Sequence, residues 1–212
     1  MEGTGSLFPL FLKLTGRHVV LVGAGTVGAG KLRHLIDAGA DVTVVAPEVA
    51  PAVAAAPVRL VRRAFEPADL DEAWLVVAAA PPAVNRLVAA AAAERRIFVN
   101  AVDDPASASA YAAAVFRRDR LTVAISTGGE APALAGLVRE ALDDLVPDDL
   151  ATWFETARRA RAAWLDERVP MPERRPLLLQ ALNRLYAKRS ARGDPGDPGT
   201  GVSLNASGAA VR

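Results

Sequence analysis

Residues 18–28 read HVVLVGAGTVG. The first five are an apolar, largely β-branched run that predicts a short strand ended by glycine. The next six, from Gly23 to Gly28, fit the pattern G-x-G-x-x-G, and residues 26–38 continue with the apolar spacing of a helix. A strand, a glycine-rich turn and a helix in this order are typical of the first βα unit of a dinucleotide-binding domain.

Each glycine of this turn has its own predicted task. Gly23 allows the tight turn, Gly25 lets a pyrophosphate approach the backbone, and Gly28 lets the helix pack closely on the strand. The N-terminus of the helix supplies free N–H groups for the phosphate. We therefore predict a nucleotide site at this turn, against the alternative of a glycine-rich turn without a ligand.

Strand and helix patterns alternate through the first half of the chain. Apolar runs predict five strands, over residues 18–22, 41–46, 58–63, 74–79 and 97–100, and Pro47 is expected to stop the second. Helices are predicted over 26–38 and from Pro81-Pro82 to Arg95. Alternation of this kind implies right-handed crossovers and a Rossmann-like, doubly wound parallel sheet.

The pattern changes near residue 104. Strand-like runs at 110–116 and 121–126 flank a polar turn and predict a hairpin, and residues 131–145 read as a helix. The helix carries an apolar face, and a lone hairpin needs a packing partner, so we predict a homodimer built through residues 110–145. The face contains Leu134, Leu137, Val138, Ala141 and Leu142.

Four segments follow from these patterns. We expect an α/β dinucleotide-binding domain over 1–109, a small α+β dimerisation domain over 110–146 and a helical C-terminal region over 147–190. The remainder, 191–212, is rich in glycine, proline and serine and is predicted to be disordered.

The composition of the chain excludes several classes of protein and several kinds of site. The net charge is +1, which argues against a dedicated nucleic-acid binder, and the absence of cysteine excludes disulfides, thiol nucleophiles and cysteine-ligated metal. Only two histidines occur, so a histidine metal site or a histidine-based triad is not expected. The longest apolar region, 74–93, is broken by two prolines, and no secretory segment is visible. We therefore expect a cytoplasmic protein without a membrane partner.

The end of the second strand bears on the choice of dinucleotide. An acid that binds ribose is expected about 20 residues beyond the glycine motif, but Val45 and Ala46 are apolar there. Either Glu48 or the backbone at Pro47 meets the ribose in this prediction, with a solvated Glu48 as the alternative. No arginine is present to receive a 2′-phosphate, which favours NAD over NADP.

Two loops are candidates for the substrate side of the site. Asn100-Ala101-Val102-Asp103-Asp104-Pro105 follows the fifth strand, where its adjacent carboxylates could accept a proton or form a capping pair. Ser126-Thr127-Gly128-Gly129 precedes a helix and could bind an anion or cap that helix. Both interpretations remain open for each loop.

Four segments together resemble the precorrin-2 dehydrogenase/sirohydrochlorin ferrochelatase family, which forms the N-terminal half of siroheme synthase and also occurs free-standing. They are LFPLFLKL (7–14), VVLVGAGTVGAGK (19–31), RRIFVNAVDDP (95–105) and AISTGGEAPALAGLVRE (124–140). The resemblance implies NAD-dependent oxidation of precorrin-2 to sirohydrochlorin, with insertion of ferrous iron in some members. It also implies a Rossmann domain, a dimerisation domain and a helical C-terminal region.

The resemblance assigns roles to individual residues. The functional aspartate of the family falls on Asp103, and Asp104 is a departure from the family pattern. Nucleotide contacts implied by the resemblance fall on Thr26, Val27, Pro47 and Glu48, and they join Gly23, Gly25 and Gly28, which the glycine motif predicts. For the two candidate loops on the substrate side, we predict substrate contacts at Asn100, Ser126, Thr127 and Gly128. A position that is phosphorylated in some members falls on Thr127.

A polycarboxylate substrate would suit the arginines of this chain. Arg117, Arg118 and Arg120, or the arginine-rich residues 158–192, could bind its acid groups, or could be a solvated surface. Two other classes of protein remain as alternatives. A nucleotide-sensing regulatory domain would leave the 100–105 and 126–130 loops without a role, and a methyltransferase using S-adenosylmethionine also has a glycine-rich first loop.

Overall fold

A computed structural model describes residues 7–192, 203–204 and 210–211, with side chains up to residue 185. The chain divides into two compact units. One takes in the chain up to Ala113 together with Ser126–Pro132, and the other contains Ala114–Ile125 and the chain from Ala133 onward.

The first unit is built on a five-stranded parallel sheet in the order β3-β2-β1-β4-β5. Its strands are β1 (His18–Ala24), β2 (Asp41–Val49), β3 (Arg59–Val61), β4 (Leu75–Ala78) and β5 (Phe98–Ala101). Its helices are α1 (Thr26–Asp37), the short α2 (Pro51–Ala54) and α3 (Pro82–Glu94). The chain winds outward from β1 to β3 and then returns to the other side of β1 at β4, which is the predicted doubly wound arrangement.

Alternate residues of β1 face opposite sides of the sheet and enter two separate cores. Val19 and Leu21 pack with Leu32 and Leu35 of α1, whereas Val20 packs on the other face in the cluster that contains α3. The α3 members of that cluster are Val88, Ala91 and Ala92. Both faces of β1 are therefore covered by helices, and this explains why its sequence is apolar from Val19 onward.

The second strand is longer than predicted, because Pro47 does not end it. Pairing of β2 with β3 stops at Val45, so the missing N–H of Pro47 removes no hydrogen bond on that side. Pairing of β2 with β1 resumes at Val49, which lies opposite Ala24 after a shift in register. The third strand is shorter than the predicted 58–63, and α2 was not predicted.

An ion pair closes the connection between β3 and β4. The Arg63 guanidinium contacts Asp69 through Nη2 to Oδ1 at 2.6 Å and Nη1 to Oδ2 at 2.8 Å. Asp69 lies in a 3₁₀ turn over Pro67–Leu70, and its Oδ2 also accepts the backbone N–H of Glu66 at 2.9 Å. Burial acts to raise the pKa of Asp69, but these hydrogen bonds outweigh it and hold the pKa below its usual value.

The second unit contains the predicted hairpin and three helices, although the first strand of the hairpin begins at Ala114 and not at residue 110 as predicted. Strands β6 (Ala114–Arg118) and β7 (Leu121–Ile125) pair antiparallel, and α4 (Pro132–Leu145), α5 (Leu150–Asp166) and α6 (Met171–Arg192) follow. The prolines at 170 and 172 flank the start of α6 at Met171, so the helical C-terminal region is divided there into α5 and α6. Of the tail predicted to be disordered, residues 191–192 belong to α6, and Ser203–Leu204 pairs with Ala210–Val211 as two short strands. The other residues of the tail lie outside the described residues.

No helix in the part of the chain that the structure describes is long and apolar enough to cross a membrane.

Candidate functional site

The glycine-rich turn has the three properties that its sequence predicts. Gly23 adopts φ +99°, and a Cβ there would lie 2.3 Å from the carbonyl oxygen of Ala79, so only glycine fits. A Cβ on Gly28 would lie 2.3 Å from the carbonyl oxygen of Gly23, which shows how closely α1 approaches the end of β1. A Cβ on Gly25, by contrast, would meet nothing within 4 Å.

The open space at Gly25 adjoins the N-terminus of α1. Gly25 is the N-cap residue of this helix and makes no side-chain cap, and its carbonyl accepts the N–H of Ala29 at 2.9 Å. The N–H groups of the first helical turn have no partner within an α-helix and are available to an anion. Thr26 and Val27 are both exposed at this position. The turn therefore fits the pyrophosphate of a dinucleotide.

The loop after β4 forms the other wall of the turn. The N–H of Ala79 donates to the carbonyl of Val22 at 2.8 Å, which joins the ends of β1 and β4. Asn85 of α3 is 2% exposed, and its Oδ1 accepts the N–H of Ala80 at 3.0 Å. Its side chain thus fixes the loop against which Gly23 packs. The sequence signal for Asn85 was a polar residue, followed by Arg86, inside an otherwise apolar helical pattern, and it was not recognised as functional.

Pro47 and Glu48 are exposed at the carboxyl end of β2. This end of β2 lies beside β1, because Val49 pairs with Ala24 just before the glycine-rich turn. The two residues therefore lie at the edge of the sheet where the ribose of a dinucleotide is expected.

The two neighbouring carboxylates after β5 differ in conformation and in partners. Asp103 is exposed and has φ +56°, in the left-handed region. Asp104 is half-buried, and its Oδ1 accepts the N–H of Ser107 at 3.3 Å as the cap of a 3₁₀ turn over Pro105–Ser107. Of the two interpretations left open by the sequence, capping therefore applies to Asp104. The carboxylate of Asp103 is the one exposed to solvent.

The loop that carries Asp103 is joined to the same edge of the sheet. The N–H of Val102 donates to the carbonyl of Ala78 at 2.9 Å, so this loop begins beside the end of β4. The Nδ2 of Asn100 donates to the carbonyl of Ala110 at 2.9 Å, so one donor of its side-chain amide is already used in a hydrogen bond to the backbone. The loops after β1, β4 and β5 thus meet at the point where the strand order reverses, which is the usual ligand crevice of such sheets.

The Ser126–Gly129 turn is closed by hydrogen bonds from its own hydroxyl residues to nearby backbone. Ser126 Oγ accepts the N–H of Gly128 at 3.2 Å, and Thr127 Oγ1 accepts the N–H of Ala131 at 3.1 Å. Both N–H groups precede α4, which begins at Pro132, so these hydrogen bonds shape the turn and do not cap the helix. Both hydroxyls remain available to a ligand, because a hydroxyl that accepts a hydrogen bond keeps its own proton to donate.

Arg118 of β6 is hydrogen-bonded to the C-terminal end of α4. Its guanidinium donates to two backbone carbonyls at the end of α4. One belongs to Asp143 in the last turn, at 3.0 Å, and the other to Val146, just after the helix. It also lies 3.5 Å from a carboxylate oxygen of Asp148. This engagement favours a helix-capping role for Arg118 over binding of a substrate acid, while Arg117 and Arg120 are exposed.

No cluster of three or more histidine or acidic residues that could hold a metal ion occurs within the described residues.

Comparison with known proteins supports an NAD(P)-binding domain. A family model for NAD(P)-binding proteins matches residues 10–114, and a model for the central part of sirohaem biosynthesis proteins matches residues 118–145. The first match covers the whole five-stranded sheet with its glycine-rich turn, and the second covers most of the hairpin and α4. The nucleotide cofactor predicted from the glycine motif is therefore confirmed as a nicotinamide dinucleotide.

Curated relatives cover most of this chain. It is 42% identical over 193 residues to siroheme synthase 1 of Aeromonas salmonicida, covering 88% of this chain and 41% of the relative. It is 43% identical over 166 residues to siroheme synthase 3 of Aeromonas hydrophila, covering 76% of this chain and 34% of the relative. The chain thus spans about two fifths or less of the length of these relatives.

A solved structure matches nearly the full length of both chains. The structure titled SirC, precorrin-2 dehydrogenase, has a TM-score of 0.64 and 27% sequence identity, and the match covers 82% of this chain and 88% of that one. This match confirms the Rossmann-like fold. With the family models and the relatives, it shows that the chain belongs to the precorrin-2 dehydrogenase/sirohydrochlorin ferrochelatase family of siroheme biosynthesis.

Proposed function

We propose that this protein uses NAD to oxidise precorrin-2 to sirohydrochlorin, a step in siroheme biosynthesis. The observation that carries the proposal is the meeting of the glycine-rich turn with the Asp103 loop at one edge of the sheet. Hydrogen bonds from Ala79 to Val22 and from Val102 to Ala78 fix that meeting. A dinucleotide site and an exposed carboxylate are thereby held by neighbouring strand ends.

The glycine-rich turn and the end of β2 are the proposed dinucleotide contacts. Gly23, Gly25 and Gly28 shape the turn, and the backbone at Thr26 and Val27 would bind the pyrophosphate. Pro47 and Glu48 would meet the adenosine ribose, and the lack of an arginine beside them favours NAD over NADP. Bound NAD supplies the acceptor for a hydride.

Asp103 is the proposed catalytic residue. Oxidation of precorrin-2 removes two hydrogens, one as hydride and one as a proton, so the proton needs an acceptor. The carboxylate of Asp103 is exposed, whereas that of its neighbour Asp104 is occupied as a helix cap. An exposed carboxylate beside the dinucleotide site can accept the proton or stabilise positive charge on the macrocycle.

Contacts to the acid groups of the substrate are proposed for the two remaining loops. Asn100 borders the Asp103 loop, and Ser126, Thr127 and Gly128 form the turn before α4. Hydroxyl protons and backbone N–H groups in such a turn can donate to carboxylates. We extend the proposal to insertion of ferrous iron as a second reaction, in which pyrrole protons must also leave and Asp103 can take them.

The protein is proposed to act as a homodimer in the cytoplasm, with α4 at the interface. Four of the five apolar side chains predicted to form that interface are exposed on α4 in the single chain, with Leu134 at 53% and Leu137 at 63%, and the fifth, Leu142, is half-buried. Exposed apolar patches of this kind mark interaction surfaces.

Incubation of the protein with precorrin-2 and NAD tests the proposed activity directly. We expect formation of reduced nicotinamide together with sirohydrochlorin, followed by siroheme when ferrous iron is added. Binding of NAD without any turnover of precorrin-2 would instead support the alternative, a nucleotide-sensing module. Binding of S-adenosylmethionine in place of NAD would contradict both.

A further inference from the structure

Tyr111 lies between the two loops that are proposed to contact the substrate. Its hydroxyl donates a hydrogen bond to the carbonyl oxygen of Pro105 at 3.2 Å. On the other side, a Cβ on Gly129 would lie 3.5 Å from Cε1 of the tyrosine ring and 3.8 Å from Cγ of Pro105. The tyrosine ring and the proline ring therefore both lie beside Gly129, close enough that a side chain at this position would touch them, and they bring the Asp103 loop next to the turn before α4.

The backbone just before Tyr111 is fixed to the sheet. The N–H of Ala110 donates to the carbonyl of Val99 at 2.9 Å, and the carbonyl of Ala110 accepts from Asn100 Nδ2 at 2.9 Å. Ser109 adds two further hydrogen bonds to Val99, each at 2.9 Å. The tyrosine ring thus extends from a segment that is tied to β5, and both loops are placed relative to that segment.

The turn has few other means of holding its shape. Gly128 and Gly129 have φ values of +67° and +87°, and adjacent glycines have more backbone freedom than any other pair of residues. The hydrogen bonds given above for the turn lie within residues 126–131 and do not join it to the Asp103 loop. The tyrosine ring lies beside Gly129 and so limits the positions that the turn can adopt.

We propose that Tyr111 is a positioning residue that holds the Asp103 loop and the Ser126–Gly129 turn in one arrangement for the substrate. The catalytic role of Tyr111 rests on the proposed function, in which these two loops contact the substrate. The coupling between the two loops, by contrast, does not depend on any substrate. The signal in the sequence was one aromatic residue in the alanine-rich run 110–114.

Hydrogen exchange measures the coupling without any substrate. In Tyr111→Ala we expect the amides of Gly128, Glu130 and Ala131 to exchange faster than in the parent, together with that of Ser107 in the other loop. An increase of about fivefold or more is expected, since a lost hydrogen bond and ring contact are worth about 1 kcal/mol or more. Amides of β1 and β4 should be unchanged. Unchanged exchange in both loops would overturn the proposal.

Tyr111→Phe separates the ring from the hydroxyl. It keeps the ring beside Gly129 and loses only the hydrogen bond to Pro105, so its exchange rates should lie between those of the parent and Tyr111→Ala. Trp74→Ala is the control, because Trp74 is also a partly exposed aromatic, 55% accessible, and lies just before β4, where Arg17 stacks on its ring. Equal acceleration of the two loops in Trp74→Ala would show a general loss of stability and would also overturn the proposal.

Kinetics then connect the coupling to catalysis. We expect Tyr111→Ala to lower kcat/KM for precorrin-2 by about tenfold or more, as imprecise positioning does. The Kd for NAD should stay within about twofold of the parent value, because the contacts described for Tyr111 involve Pro105 and Gly129 and not the glycine-rich turn. A parent protein that fails to oxidise precorrin-2 would refute the proposed function, and the exchange result would still decide whether Tyr111 couples the loops. An active parent with an equally active Tyr111→Ala variant would overturn the positioning role.

Discussion

The Cβ that a side chain on Gly28 would carry lies 2.3 Å from the carbonyl oxygen of Gly23. The two residues are at opposite ends of the glycine-rich turn, so this near contact ties the first turn of α1 to the end of β1. Gly23 in turn abuts the backbone of Ala79 after β4. Strand, turn and helix are thus held together by backbone atoms that leave no room for a side chain.

Substitutions at three glycines should separate folding from NAD binding. Gly28→Ala forces a backbone clash and should lower the melting temperature, because nothing flexible can move away. Gly25→Val meets open space and should leave the fold intact, yet it should weaken NAD binding by about tenfold or more by blocking the approach of the pyrophosphate. Calorimetric titration with NAD and thermal unfolding measure the two effects.

Gly30→Ala is the control for both, since a Cβ on Gly30 also meets nothing within 4 Å, and the residue lies inside α1. It should stabilise the protein by about 0.5–1 kcal/mol and leave NAD affinity unchanged. NAD binding by Gly25→Val as tight as in the parent would remove the glycine-rich turn from the proposed site.

Substitutions at Asp103 and Asp104 should have different consequences. Asp103→Asn keeps a residue type that tolerates φ +56°, so the fold should survive while dehydrogenation falls strongly and iron insertion is lost. Asp104→Ala should reduce stability by about 1 kcal/mol through loss of a cap and reduce activity much less. Steady-state kinetics and thermal unfolding of the two variants give the comparison, and full activity in Asp103→Asn would exclude Asp103 from catalysis.

The sequence predicted the parallel sheet well because its signals are local. Each apolar run of the Rossmann-like unit became a strand within about three residues at either end, and the glycine-rich turn required only a strand before it and a helix after it. The predicted end of β2 at Pro47 was wrong, because a proline interrupts a strand only where the neighbouring strand still pairs opposite it, and β3 no longer does so at Pro47. That is a property of the neighbouring strand and cannot be read from the proline itself.

The candidate site was only partly predictable for a similar reason. The two aspartates are adjacent in sequence, and an extended segment would have directed their side chains to opposite sides. The structure instead has Asp103 in a left-handed turn and Asp104 as a cap, so the distinction between them rests on a turn that the sequence did not predict. Asn85 and Tyr111 act through contacts with other loops, and single residues of this kind carry no spacing pattern.

Asn85→Leu should impair NAD binding through the loop after β4. The leucine fills a similar volume but cannot accept the N–H of Ala80, which would be left without its partner, at a cost of about 1–3 kcal/mol. We expect lower stability and a higher Kd for NAD, because Gly23 packs on the displaced loop. Asn85→Asp keeps the acceptor oxygen and should retain more NAD affinity than Asn85→Leu. Thr43→Val, a buried polar position that contacts His18 in the body of the sheet, is the control and should leave the Kd unchanged.

The ion pair of Arg63 with Asp69 should make stability depend on pH in the acid range. The folded protein holds the pKa of Asp69 below its usual value, so the unfolded chain binds this proton more readily. The contribution to stability is therefore present above the ordinary aspartate pKa of about 3.9 and is lost as the pH falls below it. Asp69→Asn should lower the melting temperature at neutral pH, and its difference from the parent should shrink on acidification. A difference that is constant down to the lowest pH at which both fold would contradict this assignment.

The exposed face of α4 should determine the oligomeric state. Leu134 and Leu137 are 53% and 63% exposed in the single chain, and burial of both against a second copy would supply about 3 kcal/mol or more. Sedimentation at micromolar concentration should show a dimer for the parent, and Leu134→Asp combined with Leu137→Asp should raise the dimer dissociation constant by about a hundredfold or more. Leu165→Asp is the matched control, because Leu165 is 55% exposed on α5 and lies outside the predicted interface. A monomeric parent, or equal dissociation in the α4 and α5 variants, would show that this face of α4 does not join two copies of the chain.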